Sequence, residues 1–351
     1  MMSDISQQLA QQVNHAYEQK TPLCIYGSQS KSFLRCTDEG VTASTLEHTG
    51  IINYEPTELV VTVRAGTSID LLQTTLAEQN QSLAFDPPRY NQSGTIGGVI
   101  ASGLSGPARP WSGAVRDHVL GTTIINGKGE ILKFGGQVMK NVAGYDVSRL
   151  MTGAFGTLGL VLDVSFKVLP MAEYSATLSF ESDATNAIER INTWSGQSVP
   201  LNAACWLENR LYVRLSGTKP GVDAVINKIG GDLTPDDEAF WSALRDHEHV
   251  FFRDESYWRL SLPPATPMLP IQGEWFIDWG GAQRWLKSTE PADRIQKIAS
   301  EAGGYAEQWH DQDKRYLRMP LTRLLHQYHL NLKDAFDPGR ILNKGVFYPD
   351  L

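Results

Sequence analysis

Ser93-Gly94-Thr95-Ile96-Gly97-Gly98-Val99-Ile100-Ala101-Ser102-Gly103 decides how this chain of 351 residues is read. The segment lies inside a stretch, 86–113, into which Pro87, Pro88, Gly106, Pro107, Pro110 and Gly113 are also crowded. Proline lacks a backbone donor and glycine has no Cβ to hold one conformation, so the run predicts no ordinary helix or strand. Such backbone is suited to approaching something closely. A second place of the same kind stands upstream, where the short apolar run Leu23-Cys24-Ile25-Tyr26, read as a strand, stops at Gly27-Ser28-Gln29-Ser30-Lys31.

Outward from these loops the periodicities are simple. Ile5, Leu9, Val13 and Tyr17 recur at helical spacing over 4–18, and Thr21-Pro22 breaks that helix ahead of the strand. Residues 58–63 read as a strand, and after the turn Ala65-Gly66-Thr67, Ser68 caps an amphipathic helix over 69–77. Strands at 122–125 and 130–134 flank Asn126-Gly127-Lys128-Gly129, a hairpin signal, and a β-rich run covers 158–169 before Pro170. Beyond it a strand is expected at 175–180, helices at 183–194 and 320–335, and a hairpin at 203–215. The expected fold class is therefore α+β, with a boundary near 170 and a smaller α+β domain of antiparallel strands and helices after it.

Composition excludes several functions. Lys and Arg number 31 against 39 Asp and Glu, and the two signs are interspersed, so there is no basic face on which nucleic acid could shed counterions. No run has the apolar length of a transmembrane segment, and the start MMSDISQQLAQQVNHAYEQK lacks the apolar core of a signal peptide, which makes a cytoplasmic location the expectation. Cys24, Cys36 and Cys205 have no CxxC spacing and read as small buried hydrophobes. The pairs His247/His249 and His326/His329 lack an HExxH context, and no metal site is expected.

Two glycine-containing loops meet one chemical demand well. The diphosphate of a dinucleotide needs concave backbone that presents several N–H donors with no side chain in the way. Either loop alone is also what a solvated turn looks like; their co-occurrence points to a shared ligand. Neither fits GxGxxG at a strand-to-helix turn with an acidic residue about 20 positions on, and GxxxxGK[ST] is absent, so Rossmann and P-loop sites fall away.

The order of motifs resembles the FAD-binding domain of the vanillyl-alcohol oxidase and p-cresol methylhydroxylase (PCMH) type. The matching pieces are the Gly27 loop, the strand and helix over 59–77, the block 93–98, Trp111-Ser112-Gly113-Ala114-Val115-Arg116-Asp117, Asn126-Gly127, Gly144-Tyr145-Asp146, and Gly153-Ala154-Phe155-Gly156-Thr157-Leu158-Gly159-Leu160-Val161. Within that family Arg109-Pro110-Trp111-Ser112-Gly113, Met139-Lys140-Asn141-Val142-Ala143-Gly144-Tyr145-Asp146 and Trp258-Arg259-Leu260-Ser261-Leu262-Pro263 are similar to the FAD-binding subunits of bacterial glycolate oxidases. The resemblance covers nearly the whole chain. It implies a two-subdomain PCMH-type FAD-binding domain over 1–170, a smaller cap over 171–335, and a tail, 336–351, that returns to the FAD domain.

Site residues follow from the same resemblance. Gly27, Ser28, Gln29, Ser30 and Lys31, with Pro88, Ser93, Gly94, Thr95, Gly97 and Gly98, are implied to cradle the diphosphate, the hydroxyls of Ser28, Ser30 and Thr95 adding donors. Ser102 and Gly103 are implied near the isoalloxazine and ribityl chain, Gly156, Gly159 and Val161 at the adenine edge, Tyr145 and Asp146 in the cleft lining, and Asn343 at the flavin. The first loop has no histidine for a covalent flavin link, so non-covalent FAD is expected. Arg259 and Arg284 each adjoin a tryptophan, Trp258 and Trp285, that could fix a guanidinium plane for a substrate carboxylate; a surface arginine stacked on tryptophan has the same pattern. No catalytic residue is assigned: His326 and His329, three apart on a helix, fit a packing pair as well as a base.

The implied activity is oxidation of glycolate, a small 2-hydroxy acid, with electrons passing through flavin to an iron–sulfur partner beside a paralogous FAD-linked subunit, and peripheral membrane association through those partners. Relatives that oxidise 2-hydroxy acids carry a Gly-Asp-Gly-Asn-Leu-His type segment with metal-binding histidines, which this chain lacks. That departure keeps two alternatives open: an assembly subunit whose paralogue does the oxidation, and a stand-alone oxidase of another small hydroxylated substrate.

Overall fold

Alternating apolar residues set the centre of the first of two units. In the computed structural model Val60–Arg64 and Leu160–Lys167 pair antiparallel, with Val61 opposite Phe166 and Val63 opposite Val164. They lie between Ile51–Glu55 and Val119–Ile125 in a five-stranded antiparallel sheet that Ile131–Gly135 completes. Val61, Val63, Val164 and Phe166 are buried, each such side chain contributing about 1.5–3 kcal/mol by leaving water. The helix Ile69–Ala77 starts where Ser68 accepts the Leu71 N–H, and it lays Leu72 and Leu76 on this core. A separate cluster joins Leu9 and Val13 of the helix Ser6–Gln19 to Leu23 of the strand Leu23–Tyr26, which pairs in parallel with Val41–Ser44. The chain's last segment joins that strand on its own account: the Leu23 N–H donates to Ile341 O at 2.7 Å and the Asn343 N–H to Leu23 O at 2.9 Å.

The structure describes residues 2–34, 40–90, 94–136, 145–253, 256–309, 318–348 and 350–351. Cys36, Ser93 and the motif residues 139–144 lie outside them. The first unit comprises Met1–Ser105, Gly113–Met171 and Pro320–Leu351, the second Gly106–Ser112 and Ala172–Met319. Residues 320–335, grouped with the cap in the sequence reading, thus cluster with the first unit, and Arg109-Pro110-Trp111-Ser112 with the second.

Local expectations and structure differ at several points. The helix Ile96–Ser102 stands inside the stretch where none was expected, capped by Thr95, whose hydroxyl accepts the Gly98 N–H at 3.2 Å. Glycine costs about 1 kcal/mol in a helix relative to alanine, but Gly97 lets this helix lie directly on Ala65: a Cβ there would be 3.0 Å from the Ala65 Cβ. The strands Val41–Ser44 and Ile51–Glu55 were not anticipated, because both are short and neither buries a regular apolar face.

The second unit is an eight-stranded antiparallel sheet. One face carries Leu178, Val213 and Ala204, then Leu260 and Leu286, under residues from the helices Ala184–Ser195, Lys219–Ile229 and Ala292–Glu301. By the two-residue alternation of strands and the observed register, the other face carries Thr177, Arg214, Cys205, Asp278, Gln283, Arg259 and Glu307. Among the described residues no helix is long and apolar enough to cross a membrane.

Candidate functional site

The first unit contains a cleft at which its two glycine loops meet. Both glycine loops line it, with Gly27, Ser28, Gln29, Ser30 and Lys31 from one and Thr95, Gly97 and Gly98 from the other. Their approach is close enough to dictate residue type. A Cβ built on Gly27 would stand 2.4 Å from Thr95 Oγ1, so only a bare Cα fits there.

The two loops differ in what their backbone can still do. Among the described residues the N–H groups of Gly27, Ser28, Gln29 and Ser30 have no acceptor within the protein. Gln29 has φ +60, in the left-handed region, and such a residue within a run of N–H groups forms the concavities that accept anions. In the second loop the Ile96 N–H donates to Thr67 O, the Gly97 N–H to Ala65 O and the Gly98 N–H to Thr95 Oγ1. That loop therefore supplies shape and the Thr95 hydroxyl, while the first supplies open donors. Lys31 alone among the described lining residues carries a charge, and its Nζ lies 5.6 Å from the centre of the Tyr90 ring.

A third wall is built from Phe155-Gly156, Gly159, Val161 and Asn343. The Asn343 side chain accepts the Ile25 N–H through Oδ1 at 2.7 Å and donates from Nδ2 to Phe155 O at 2.6 Å, which fixes its amide orientation. Gly156, at φ +71, makes room for that amide: a Cβ would meet Nδ2 at 2.8 Å. Ser102, also in the lining, turns its hydroxyl onto Gly98 O at 2.8 Å.

The cleft thus gathers Gly27, Ser28, Gln29, Ser30, Lys31, Thr95, Gly97, Gly98, Ser102, Gly156, Gly159, Val161 and Asn343 from the sequence-based candidates. Pro88, Gly94 and Gly103 are not in its lining. Gly94 instead accepts the Ile69 N–H, and Gly103 ends the helix Ile96–Ser102 at φ +62 against Gly153. Tyr145 is 98% exposed, outside the lining. Sequence reasoning passed over Ile25, Tyr26, Ser32, Thr45, Ala101 and Phe155, which also line the cleft.

On the other face of the second unit's sheet, Arg259 donates from Nε to Gln283 Oε1 at 2.7 Å, lies 3.9 Å from Glu307 and sits beside the rings of Trp279, Trp285 and Trp309. Gln283 in turn donates to Asp278, whose carboxyl is fully buried and also accepts the Trp279 N–H. Burial raises that carboxyl to about 7, the hydrogen bonds and the nearby Arg214 and Arg259 only partly opposing it. The Arg109 guanidinium stands 4.4 Å from the Trp279 ring, so cationic groups converge on this corner. Arg284 has a different role. It is buried, its guanidinium donates to the carbonyls of Gly281, Pro267 and Thr266, and burial lowers it to about 10. Those contacts describe a brace for the 264–282 turn region and leave Arg259 as the candidate anion anchor.

Comparison with known proteins agrees with this geometry. Residues 5–135 match the family profile described as FAD binding domain. Glycolate oxidase subunit GlcE of Escherichia coli (strain K12) is 45% identical over 349 residues, 99% of each chain. Glycolate oxidase subunit GlcD of Bacillus subtilis (strain 168) is 33% identical over 146 residues, 41% of this chain and 30% of that one. Among solved structures, alkyldihydroxyacetonephosphate synthase superposes with a TM-score of 0.67 at 15% identity, over 96% of this chain and 74% of the other, a likeness of fold. Convergent glycine loops in an FAD-binding domain, and identity that runs the full length of both chains, mean that this protein belongs to the glycolate oxidase subunit GlcE family.

Proposed function

We propose that this chain is the FAD-carrying GlcE-type subunit of a glycolate oxidase and that its cofactor lies in the cleft of the first unit. The observation that carries the site assignment is the contact between distant loops: Gly27 against Thr95, with four unengaged N–H groups, Gly27 to Ser30, in the loop that lines the cleft. These donors bind the diphosphate, and Lys31 adds the one cation of the described lining. Asn343 and the Phe155-Gly156 turn hold the opposite wall. Attachment is proposed to be non-covalent, since residues 27–35 of the sequence contain no histidine.

Flavin supplies a two-electron acceptor for the hydride that leaves the hydroxyl-bearing carbon of a 2-hydroxy acid. The chain's part is to orient and to balance charge. Arg259, held by Gln283 among three indole rings, is proposed to grip the substrate carboxylate. Onward electron transfer to an iron–sulfur subunit, beside a paralogous FAD-linked subunit, is proposed on the strength of membership in a subunit family, as is residence in the cytoplasm or at the inner membrane face through those partners.

One sequence feature favours a second reading. Without the Gly-Asp-Gly-Asn-Leu-His type segment, this subunit would hold FAD for assembly while its paralogue oxidises glycolate. Purified chain carrying FAD, mixed anaerobically with glycolate, separates the two: bleaching of the flavin absorbance supports catalysis here, and an unchanged spectrum that bleaches only when the paralogous subunit is added supports assembly. A folded chain that takes up no FAD sinks both.

A further inference from the structure

Helix Arg323–Phe336 and the turn after it contain a buried ion pair outside the lining of the cleft. Lys333 and Asp337 have side chains 2% and 0% exposed, and Lys333 Nζ lies 2.8 Å from Asp337 Oδ2. Lys333 also donates to Thr157 O at 2.8 Å and to Leu342 O at 2.7 Å, so its three ammonium protons have three acceptors. Asp337 accepts the Ile341 N–H at 3.2 Å and the Leu342 N–H at 2.8 Å. Its space is reserved from the other side by Gly127, where a Cβ would lie 2.2 Å from Asp337 Oδ1.

The places where these bonds end are instructive. Thr157 O follows directly on the Phe155-Gly156 turn of the cleft wall, and Leu342 directly precedes Asn343. Asn343 itself, at φ +43, reaches back to Phe155 O and Ile25 N. A buried ion pair gives little net stability over a packed apolar pair, whereas it is strict about the geometry of its partners. Here every partner is backbone of two segments that meet at one wall of the cleft.

We propose that Lys333 and Asp337 are positioning residues for the cofactor: they fix the 341–343 segment against the 155–157 turn, so that the Asn343 amide closes the cleft wall. This rests on the reading of the cleft as the FAD site. Loss of the pair lets Asn343 leave its two bonds, and affinity for FAD falls by about tenfold, the size expected for losing one or two buried hydrogen bonds at a binding wall.

The test is a double-mutant cycle on the full chain with Lys333→Met, Asn343→Ala and the two combined, reading FAD affinity of apoprotein by equilibrium titration and thermal unfolding of the same samples. Positioning through Asn343 requires that Lys333→Met weaken FAD about tenfold alone, but by less than about twofold in the Asn343→Ala background. A purely structural pair lowers the melting temperature and leaves FAD affinity unchanged at temperatures where the variants are folded, and that result overturns the proposal. Should Lys333→Met not fold, Asp337→Asn, which keeps the shape and one acceptor oxygen for either the 341 or the 342 N–H group, makes the same comparison. Failure of the unaltered chain to bind FAD removes the cleft reading itself, a result distinct from a variant that binds as well as the unaltered chain.

Discussion

At Gly27 the place a Cβ would occupy is 2.4 Å from Thr95 Oγ1, so Gly27→Ala must push Thr95 off the Gly98 N–H it caps. The lost cap costs about 1 kcal/mol of stability, and FAD affinity should fall further, by about tenfold, because the loop with the open N–H groups is displaced. Adding Thr95→Ala removes the obstructing oxygen and should restore part of the affinity; a double variant that binds no better than Gly27→Ala alone shows that the loop contact is not what holds the cofactor. Asp278 gives a prediction of another kind. Its buried carboxyl is raised to about 7 from a usual value of 3.8. Below pH 3.8 both folded and unfolded chains are protonated there and Asp278 costs nothing. As the pH climbs, the unfolded chain ionises first, so stability drops progressively and the full penalty is in force above about 7. At about 1.4 kcal/mol per pKa unit the penalty is a few kcal/mol. Asp278→Asn should therefore flatten the decline in urea midpoint between acid and neutral pH; parallel profiles for the two proteins would mean the carboxyl ionises normally.

Neighbouring glycines in the helix Ile96–Ser102 separate packing from binding. Gly97 faces Ala65, with a Cβ 3.0 Å from the Ala65 Cβ and 3.1 Å from its carbonyl oxygen, whereas at Gly98 the nearest obstacle is Thr95 Oγ1 at 3.3 Å. Gly97→Ala is expected to lift the helix from the strand Val60–Arg64 and lower stability by about 1–3 kcal/mol, as overpacking does. Gly98→Ala should be neutral or gain up to about 1 kcal/mol of helix propensity, yet weaken FAD, since residue 98 lines the cleft. Chemical denaturation and flavin titration of both variants check the contrast; equal effects on stability would refute it. The same helix marks the limit of what could be read from sequence. Thr95-Ile96-Gly97-Gly98 was legible as backbone that meets something, because glycine crowding has that local cause, and the capped helix Ile69–Ala77 and the 122–134 hairpin followed from spacing and turn chemistry. That Gly97 and Gly98 stand within a helix was not legible, for the reason is Ala65, far away in the chain and adjacent to Gly97 only after folding. Lys333 and Asp337 were missed for a like reason: on a helix, a lysine four residues before an aspartate reads as an exposed pair, and nothing local says that Thr157 and Gly127 bury it.

At the scale of the molecule, each unit is assembled from separated stretches of chain. Gly106–Ser112 belongs to the second unit, where the Trp279 indole donates to Gly106 O at 3.0 Å and the Arg109 guanidinium lies over the same ring. Pro320–Leu351 belongs to the first. The FAD-binding family profile ends at residue 135, but the cleft does not: its wall needs Asn343, and the strand Leu23–Tyr26 that leads into the donor loop is bonded through Leu23 and Ile25 to Ile341 and Asn343. A chain stopped at residue 319 therefore loses backbone partners for that strand, the Phe155 O acceptor contact and the Lys333 ammonium under Thr157 together. Such a truncation, purified beside the full chain, is expected to come out without bound flavin and not to take it up on titration, and hydrogen exchange should accelerate at 23–30 and 153–159 while the five-stranded sheet keeps its protection. Should the truncated chain bind FAD as tightly as the full one, the donor loops of the first third would suffice on their own, and the C-terminal segment would be packing rather than part of the site.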